Sequence, residues 1–306
     1  MQQAIVTVPN VQFYNAHPAA GDSRSELIEG LNKAQKSINP KWFYDAAGSE
    51  LFEEITTLPE YYPTRTELGI LRDNQQSIAA HCGSGCVFIE PGSGSSEKAR
   101  LLLDALRPAA YVPLDISADF LRESAERLGQ EYPWLQVNAV CADFNQGWPF
   151  PDDLPVGKRV VFYPGSTIGN LEPEAAATFL RRVRQVIGDD GGLLVGVDLH
   201  KSSERLHAAY NDASGVTARF NLNVLSRLND MLDADFDQAL FSHKAHYNTR
   251  EQRIEMHLVS EQAQSVRCNG DHIDFAAGET IHTENSYKYT AEGFACLAAS
   301  AGPVSY

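Results

Sequence analysis

Apolar and polar residues alternate with different periods along this chain. Residues 1 to about 22 are polar and without period, which predicts an arm lying over the surface. Leu27, Ile28, Leu31 and Ala34 then recur at helical spacing. From Val87 onward, short apolar runs alternate with helical stretches. The runs are Val87–Ile89, Tyr111–Leu114, Leu135–Val140, Val160–Tyr163 and Leu193–Val197. Runs of this length without polar alternation suit strands covered on both faces, and the helices between them predict a parallel sheet. The fold class is therefore α/β, a doubly wound Rossmann-like sheet. Beyond residue 199 the pattern changes. Arg205 to Ala213 and Phe220 to Leu232 are predicted as helices. Ala239 to His243 and Ser265 to Arg267 read as strands, and Arg253 to Val259 alternates as a half-buried strand does. Met256 falls on the buried side of that strand. A helix from Ala291 to Ala301 is predicted to return to the sheet.

The first strand–helix unit carries the chemistry. Glu90 ends the strand, Gly92 and Gly94 allow a sharp turn and close approach to a ligand, and Ser95, Ser96 and Glu97 suit a helix start. Lys98 follows. The turn departs from the dinucleotide fingerprint, because Glu97 stands where the third glycine belongs. Asp115 ends the second apolar run, where a carboxylate accepts ribose hydroxyls. Asp143 and Phe144 end the third, offering an acceptor for an adenine amino group and a ring to lie against the base. Together these features indicate an S-adenosylmethionine site. The loop Pro164 to Leu171 follows the fourth strand, where a second reactant meets a cofactor in such sheets. Its Asn170 offers a donor and an acceptor, or else caps the next helix. Trp42 and Phe43 are expected to pack the N-terminal helices, and Thr66 to cap a helix through Leu71. Tyr44 and Tyr61 are expected to face a ligand, since buried phenols need a partner.

Charge narrows the partners. Lys and Arg number 25 against 40 Asp and Glu, a net charge of −15. That argues against nucleic acid and anionic membrane and favours a small substrate. The first ten residues lack the basic flank and apolar core of a signal peptide, and no apolar run reaches the length of a membrane span. Five cysteines, an odd number without zinc-ribbon spacing, read as free thiols of a cytoplasmic protein. The nine histidines show no H-x-x-x-H pair, so scattered surface histidines and no metal are expected.

Several long runs resemble one family. They include Phe43-Tyr44-Asp45, Gly48 to Phe52, Leu58 to Glu67, Gly92 to Lys98, Gly165 to Leu171, Arg253 to Met256, and Thr283-Glu284 with Ser286. From about Ile38 to Ala301 the chain resembles the S-adenosylmethionine-dependent histidine Nα-methyltransferases of ergothioneine biosynthesis. The resemblance implies a methyltransferase core at residues 66–198. It also implies a substrate domain built from residues 1–65 and an insertion at 199–286, with 287–306 returning to the core. It implies cofactor contacts at Gly92, Lys98, Asp115, Asp143 and Phe144. It implies a histidine pocket in which Asn170 and Tyr210 hold the carboxylate, and Tyr61 and Gly165 lie near the amine. Glu284 and Ser286 read the imidazole there, and Tyr44, Phe52 and Met256 shape the walls. Tyr61 is the expected catalytic residue. Two departures stand out. Pro91 replaces a usual leucine and removes a backbone donor. The family's final β-hairpin has no counterpart after Ala301, which leaves one sheet edge uncovered. The expected activity is methyl transfer to the α-amine of L-histidine, three times over, by a monomer. The alternatives are the same chemistry on another amino acid or histidine derivative, or an inactive cofactor-binding homologue.

Overall fold

A computed structural model describes residues 8–16, 21–144, 147–268 and 270–302. Its strands in chain order are β1 (Val11–Asn15), β2 (Lys36–Ser37), β3 (Val87–Pro91), β4 (Ala110–Asp115), β5 (Gln136–Cys141), β6 (Arg159–Tyr163), β7 (Gly192–Val195), β8 (Phe241–Asn248), β9 (Arg253–Ser260), β10 (Gln264–Cys268), β11 (Asp271–Phe275) and β12 (Thr280–Tyr287). Six of them form one sheet in the order β1-β5-β4-β3-β6-β7. Every neighbouring pair in it is parallel. Parallel neighbours require crossovers, and helices Glu97–Leu106, Ala118–Glu131 and Pro173–Ile187 supply them. Strand alternation sends Phe88, Tyr111, Val137 and Val160 into one apolar layer and Ile89, Val112, Val140 and Val161 into the other. The strand order reverses direction at β3, so a crevice opens beyond the ends of β3 and β6.

β1 is a departure from the sequence reading. Instead of an arm, Val11–Asn15 pairs with β5, Val11 opposite Val137. An edge strand needs only one covered face, so its mixed residues gave no periodic signal. Asn10 fixes the entry by donating to the carbonyls of Gly129, Tyr132 and Leu135 at 2.8–3.1 Å. The rest of the expected arm, residues 1–7 and 17–20, lies outside the described residues. β7 forms the other edge; it pairs with β6, and all its residues are partly exposed. The last residues, 303–306, also lie outside the described set.

A second sheet has the order β2-β12-β9-β8, and β10 and β11 form a separate pair. Helix Val216–Leu232 buries Phe220, Val224, Leu225 and Leu228 against it. The same apolar cluster takes in Leu27, Leu31, Trp42, Phe43 and Ile55, so the N-terminal helices and residues 206–281 share one core. Trp42 and Phe43 are buried in that core. Fully burying such rings contributes about 2–3 kcal/mol each. Two expectations shift here. Thr66 lies inside helix Tyr62–Asp73, which begins earlier because Pro63 suits a first turn. A short 3₁₀ turn, Gln238–Leu240, precedes β8 where a strand was expected, because the Asp237 carboxylate accepts from the Ala239 N–H at 2.9 Å.

Candidate active site

The glycine turn after β3 is held by its backbone. The N–H groups of Gly92 and Ser93 donate to the Leu114 carbonyl, at 2.7 and 3.1 Å. Gly92 and Gly94 both have positive φ, which a side chain would strain. A Cβ on Gly92 would also sit 3.5 Å from the Phe144 ring. Ser96 is left-handed as well, at φ 58, and does not cap the helix as expected. Its buried Oγ is instead hydrogen-bonded to the Tyr111 hydroxyl at 2.9 Å, and that hydroxyl donates its proton to Glu90. Burial pushes Glu90 up to about 8 despite this bond. Asp115 accepts from the Gly94 N–H at 3.1 Å and the Ser117 N–H at 2.9 Å. Burial still raises its carboxyl above the ordinary range.

The loop after β6 mirrors this turn. Gly165 has φ +79 and Ser166 is left-handed at φ 55. The Gly165 N–H donates to both oxygens of Glu67, at 2.8 and 2.9 Å. Glu67 also pairs with Lys98 at 2.7 Å. Ser166 Oγ accepts from the Asp198 N–H at 2.9 Å. Asn170 closes the 3₁₀ turn Thr167–Asn170 and does not cap the following helix, whose cap position is Glu172. Glu172 ties this loop to the second sheet. It accepts from Arg253 at 2.8 Å, Asn285 at 2.8 Å and Tyr287 at 2.6 Å.

Opposite these loops stands β12. Its register slips between His282 and Glu284, a local bulge of the kind that re-aims side chains. The Glu284 carboxylate has no hydrogen-bond partner among the described residues. Burial raises it to about 7, opposed by the charge of Lys288. The Tyr210 hydroxyl donates to Ser286 Oγ at 2.8 Å, and buried Lys288 donates to the same oxygen at 2.7 Å. Lys288 pairs with Asp198 at 3.0 Å. Asp198 also pairs with Lys201 and accepts from the Tyr62 hydroxyl. Tyr44, Phe52 and Tyr61 meet edge to face, with centroids 5.6 and 6.4 Å apart, and Tyr61 meets Tyr210 at 6.2 Å.

All these elements face one cavity of about 1190 Å³. That exceeds a usual single-ligand pocket of roughly 300–1,000 Å³, and leaves room for a cofactor and a small substrate together. Twelve of the fourteen expected site residues line it: Tyr44, Phe52, Tyr61, Gly92, Lys98, Asp115, Phe144, Gly165, Asn170, Tyr210, Glu284 and Ser286. Two do not. Asp143 is buried outside the wall, and Lys41 holds its carboxylate at 3.1 Å. Met256 lies in the core of the second unit, where it backs Glu284 from across the β9–β12 pair. Glu67, Asp198 and Lys288 were missed by the sequence reading, because their partners are remote in the chain. The run Tyr287-Lys288-Tyr289, a lysine between two rings where β12 ends, was the available signal.

The crevice at the sheet's switch point, its glycine turn and the acid after β4 together define a Rossmann-like methyltransferase. The buried Ser93 hydroxyl in the cavity wall has no partner among the described residues, and the bare Gly92 surface lies against Phe144; both fit S-adenosylmethionine. The chain belongs to the family described as histidine-specific, S-adenosylmethionine-dependent methyltransferases, which it matches over residues 23–304. It is 45% identical to the histidine N-alpha-methyltransferase of Mycolicibacterium smegmatis, across 97% of this chain and 94% of that protein. The histidine N-alpha-methyltransferase of Mycobacterium tuberculosis is also 45% identical, across 91% and 88%. The ergothioneine biosynthesis protein 1 of Neurospora crassa is 34% identical over 62% of this chain and 22% of its own length.

Proposed function

We propose that this protein methylates the α-amino nitrogen of L-histidine, three times in succession, to give the trimethylated betaine hercynine, as a monomer in the cytoplasm. The 45% identity to two mycobacterial proteins of that name supports the substrate. Among the described residues no helix is long and apolar enough to cross a membrane. The observation that carries the reading is Glu284. A carboxylate in the wall of the cavity, raised to about 7 by burial and without a hydrogen-bond partner among the described residues, awaits a donor. A ring N–H of histidine is that donor. An amino acid without one leaves the buried acid unpaired and is rejected.

S-adenosylmethionine, when bound, supplies a methyl carbon already activated by its sulfonium. The chain's own residues must then hold the amine unprotonated and in line. A free α-amine has a pKa of about 8, so at neutral pH it is mostly protonated and must lose a proton before it can attack. Alignment contributes several kcal/mol. Burial raises the Tyr61 phenol well above its ordinary range, with Tyr210 and Glu284 adding to the effect. Tyr61 therefore stays protonated and serves as a hydrogen-bond partner that orients the amine and passes its proton to water. Asn170 and Tyr210 receive the carboxylate, while Ser286, held by Tyr210 and Lys288, joins Glu284 at the imidazole. The faces of Tyr44, Phe52 and Tyr61 suit the ammonium as methyl groups accumulate.

Incubating the protein with S-adenosylmethionine and each of the twenty amino acids tests this reading. Mass gain of up to three methyl groups is expected on histidine alone. Gain on a different amino acid, or on none, overturns it.

A further inference from the structure

A histidine cluster lies on the other face of the second sheet. Ala245, Ile254, Met256 and Leu258 point into the apolar core. The intervening residues therefore point the other way. His246 on β8 pairs directly with Glu255 on β9, and His257 follows Glu255 on the same face. We propose that His246, Glu255 and His257 form a binding site for a divalent first-row metal ion of the zinc class.

Three observations carry the proposal. First, the donor atoms are already gathered. Glu255 Oε2 lies 3.2 Å from His257 Nε2 and 3.5 Å from His246 Nε2. One donor atom from each residue falls within 4.8 Å of the others. Zinc bonds of about 2.0–2.2 Å place tetrahedral donors roughly 3.4 Å apart, so small side-chain movements suffice. Second, the carboxylate is oriented from behind. Its other oxygen accepts from Asn248 at 3.0 Å and from Arg253 Nε at 2.8 Å. Such outer hydrogen bonds are what metal-binding carboxylates use. Third, Nε2 of both rings faces the same carboxylate oxygen, His257 through a hydrogen bond that an ion would replace, with that ring's proton moving to Nδ1. The two rings stack with centroids 5.5 Å apart, and His257 stacks on His282 at 4.6 Å.

Charge and access are compatible. Arg253 is close, but Glu172 offsets it at 2.8 Å. Exposed Lys244 lies beside His257 in the register and is free to swing outward. The His246 side chain is 39% exposed and gives an entry path, leaving the fourth position for water. The sequence led to an expectation of scattered surface histidines and no metal, and the proposal departs from it for a geometric reason. The reading sought helical ligand spacing, and these donors meet through i,i+2 spacing on one strand and direct pairing with the next.

Calorimetric titration of the whole chelator-treated protein with zinc chloride tests this. We expect one equivalent bound near micromolar affinity, about −8 kcal/mol. His246→Ala should weaken binding at least ~30-fold, while His272→Ala on the remote β11 strand should leave it unchanged. His246 is partly exposed, so its variant is expected to fold, and circular dichroism checks that it does. Cobalt(II) gives a second readout, with weak visible bands of nitrogen and oxygen ligation expected. Absence of binding, binding unmoved by His246→Ala, or an intense thiolate charge-transfer band would each overturn the assignment.

Discussion

Glu90 and Glu284 are both acids beside the same cavity, and burial raises both, to about 8 and about 7. Their surroundings differ. Glu90 sits at the end of β3 and receives the Tyr111 hydroxyl, so its region is satisfied before any ligand arrives. Glu284 sits after a bulge in β12 with no donor to its carboxylate among the described residues. The cofactor side is thus a backbone cradle, shaped by positive φ at Gly92, Gly94 and Ser96. The substrate side is a set of side chains brought from several separate segments, with Glu284 left unpaired among the described residues. A preorganised cradle tolerates one cofactor; an unpaired acid selects among substrates by what they fail to supply.

The largest effect should come from breaking the selective side. Glu284→Ala is expected to lower kcat/KM for histidine by about 10³, or roughly 4 kcal/mol, in line with a site that loses its buried partner. S-adenosylmethionine affinity should stay within about 3-fold. Steady-state kinetics beside calorimetry separate the two. Equal losses would make Glu284 a structural residue and erase the contrast.

Asp115→Asn attacks the cradle instead. A charged hydrogen bond contributes about 1.5–3 kcal/mol, so cofactor affinity should fall roughly 10- to 100-fold. The KM for histidine at saturating cofactor should not move. If histidine KM rises in parallel, the two halves of the cavity are one cooperative unit.

These two regions were unequally legible in the sequence. Glu90, Gly92, Asp115 and Phe144 each sit at or just beyond the end of a short apolar run, so local pattern located them. The six-stranded sheet was legible for the same reason, except β1, whose single covered face leaves no long apolar run. Glu67 against Gly165, and Lys288 against Asp198, are contacts between residues about ninety positions or more apart, and no local period encodes them. Asp143 shows the converse case: it follows β5, where a base contact is expected, and Lys41 from the N-terminal segment bonds its carboxylate there.

Tyr61 tests whether the substrate side also handles the proton. Its phenol is held protonated by burial, so Tyr61→Phe removes a hydrogen-bond partner and no base. A loss of about 10-fold in kcat is expected, of the size of one hydrogen bond. The pH–rate profile should shift toward higher pH, since the amine then deprotonates with less help. Full turnover with an unchanged profile would remove Tyr61 from the mechanism.

The smallest effect concerns Glu90, and its sign follows from linkage. The folded-state value of about 8 lies above the ordinary 4.5, so between those values the native protein holds a proton that the unfolded chain has released. Stability must therefore fall as pH rises from about 4.5 toward 8, then level off. Glu90→Gln keeps an acceptor for Tyr111 but carries no titrating proton. Its melting temperature should match the wild type near pH 4.5 and exceed it at pH 8.5. The same measurement on Glu284→Gln sharpens the comparison. Its gain should already be complete by about pH 7, one unit earlier, because that acid is the less strongly raised of the two. Histidine at saturation should change the Glu284 profile and leave that of Glu90 untouched, since only the acid without an internal donor has a place for the substrate's N–H.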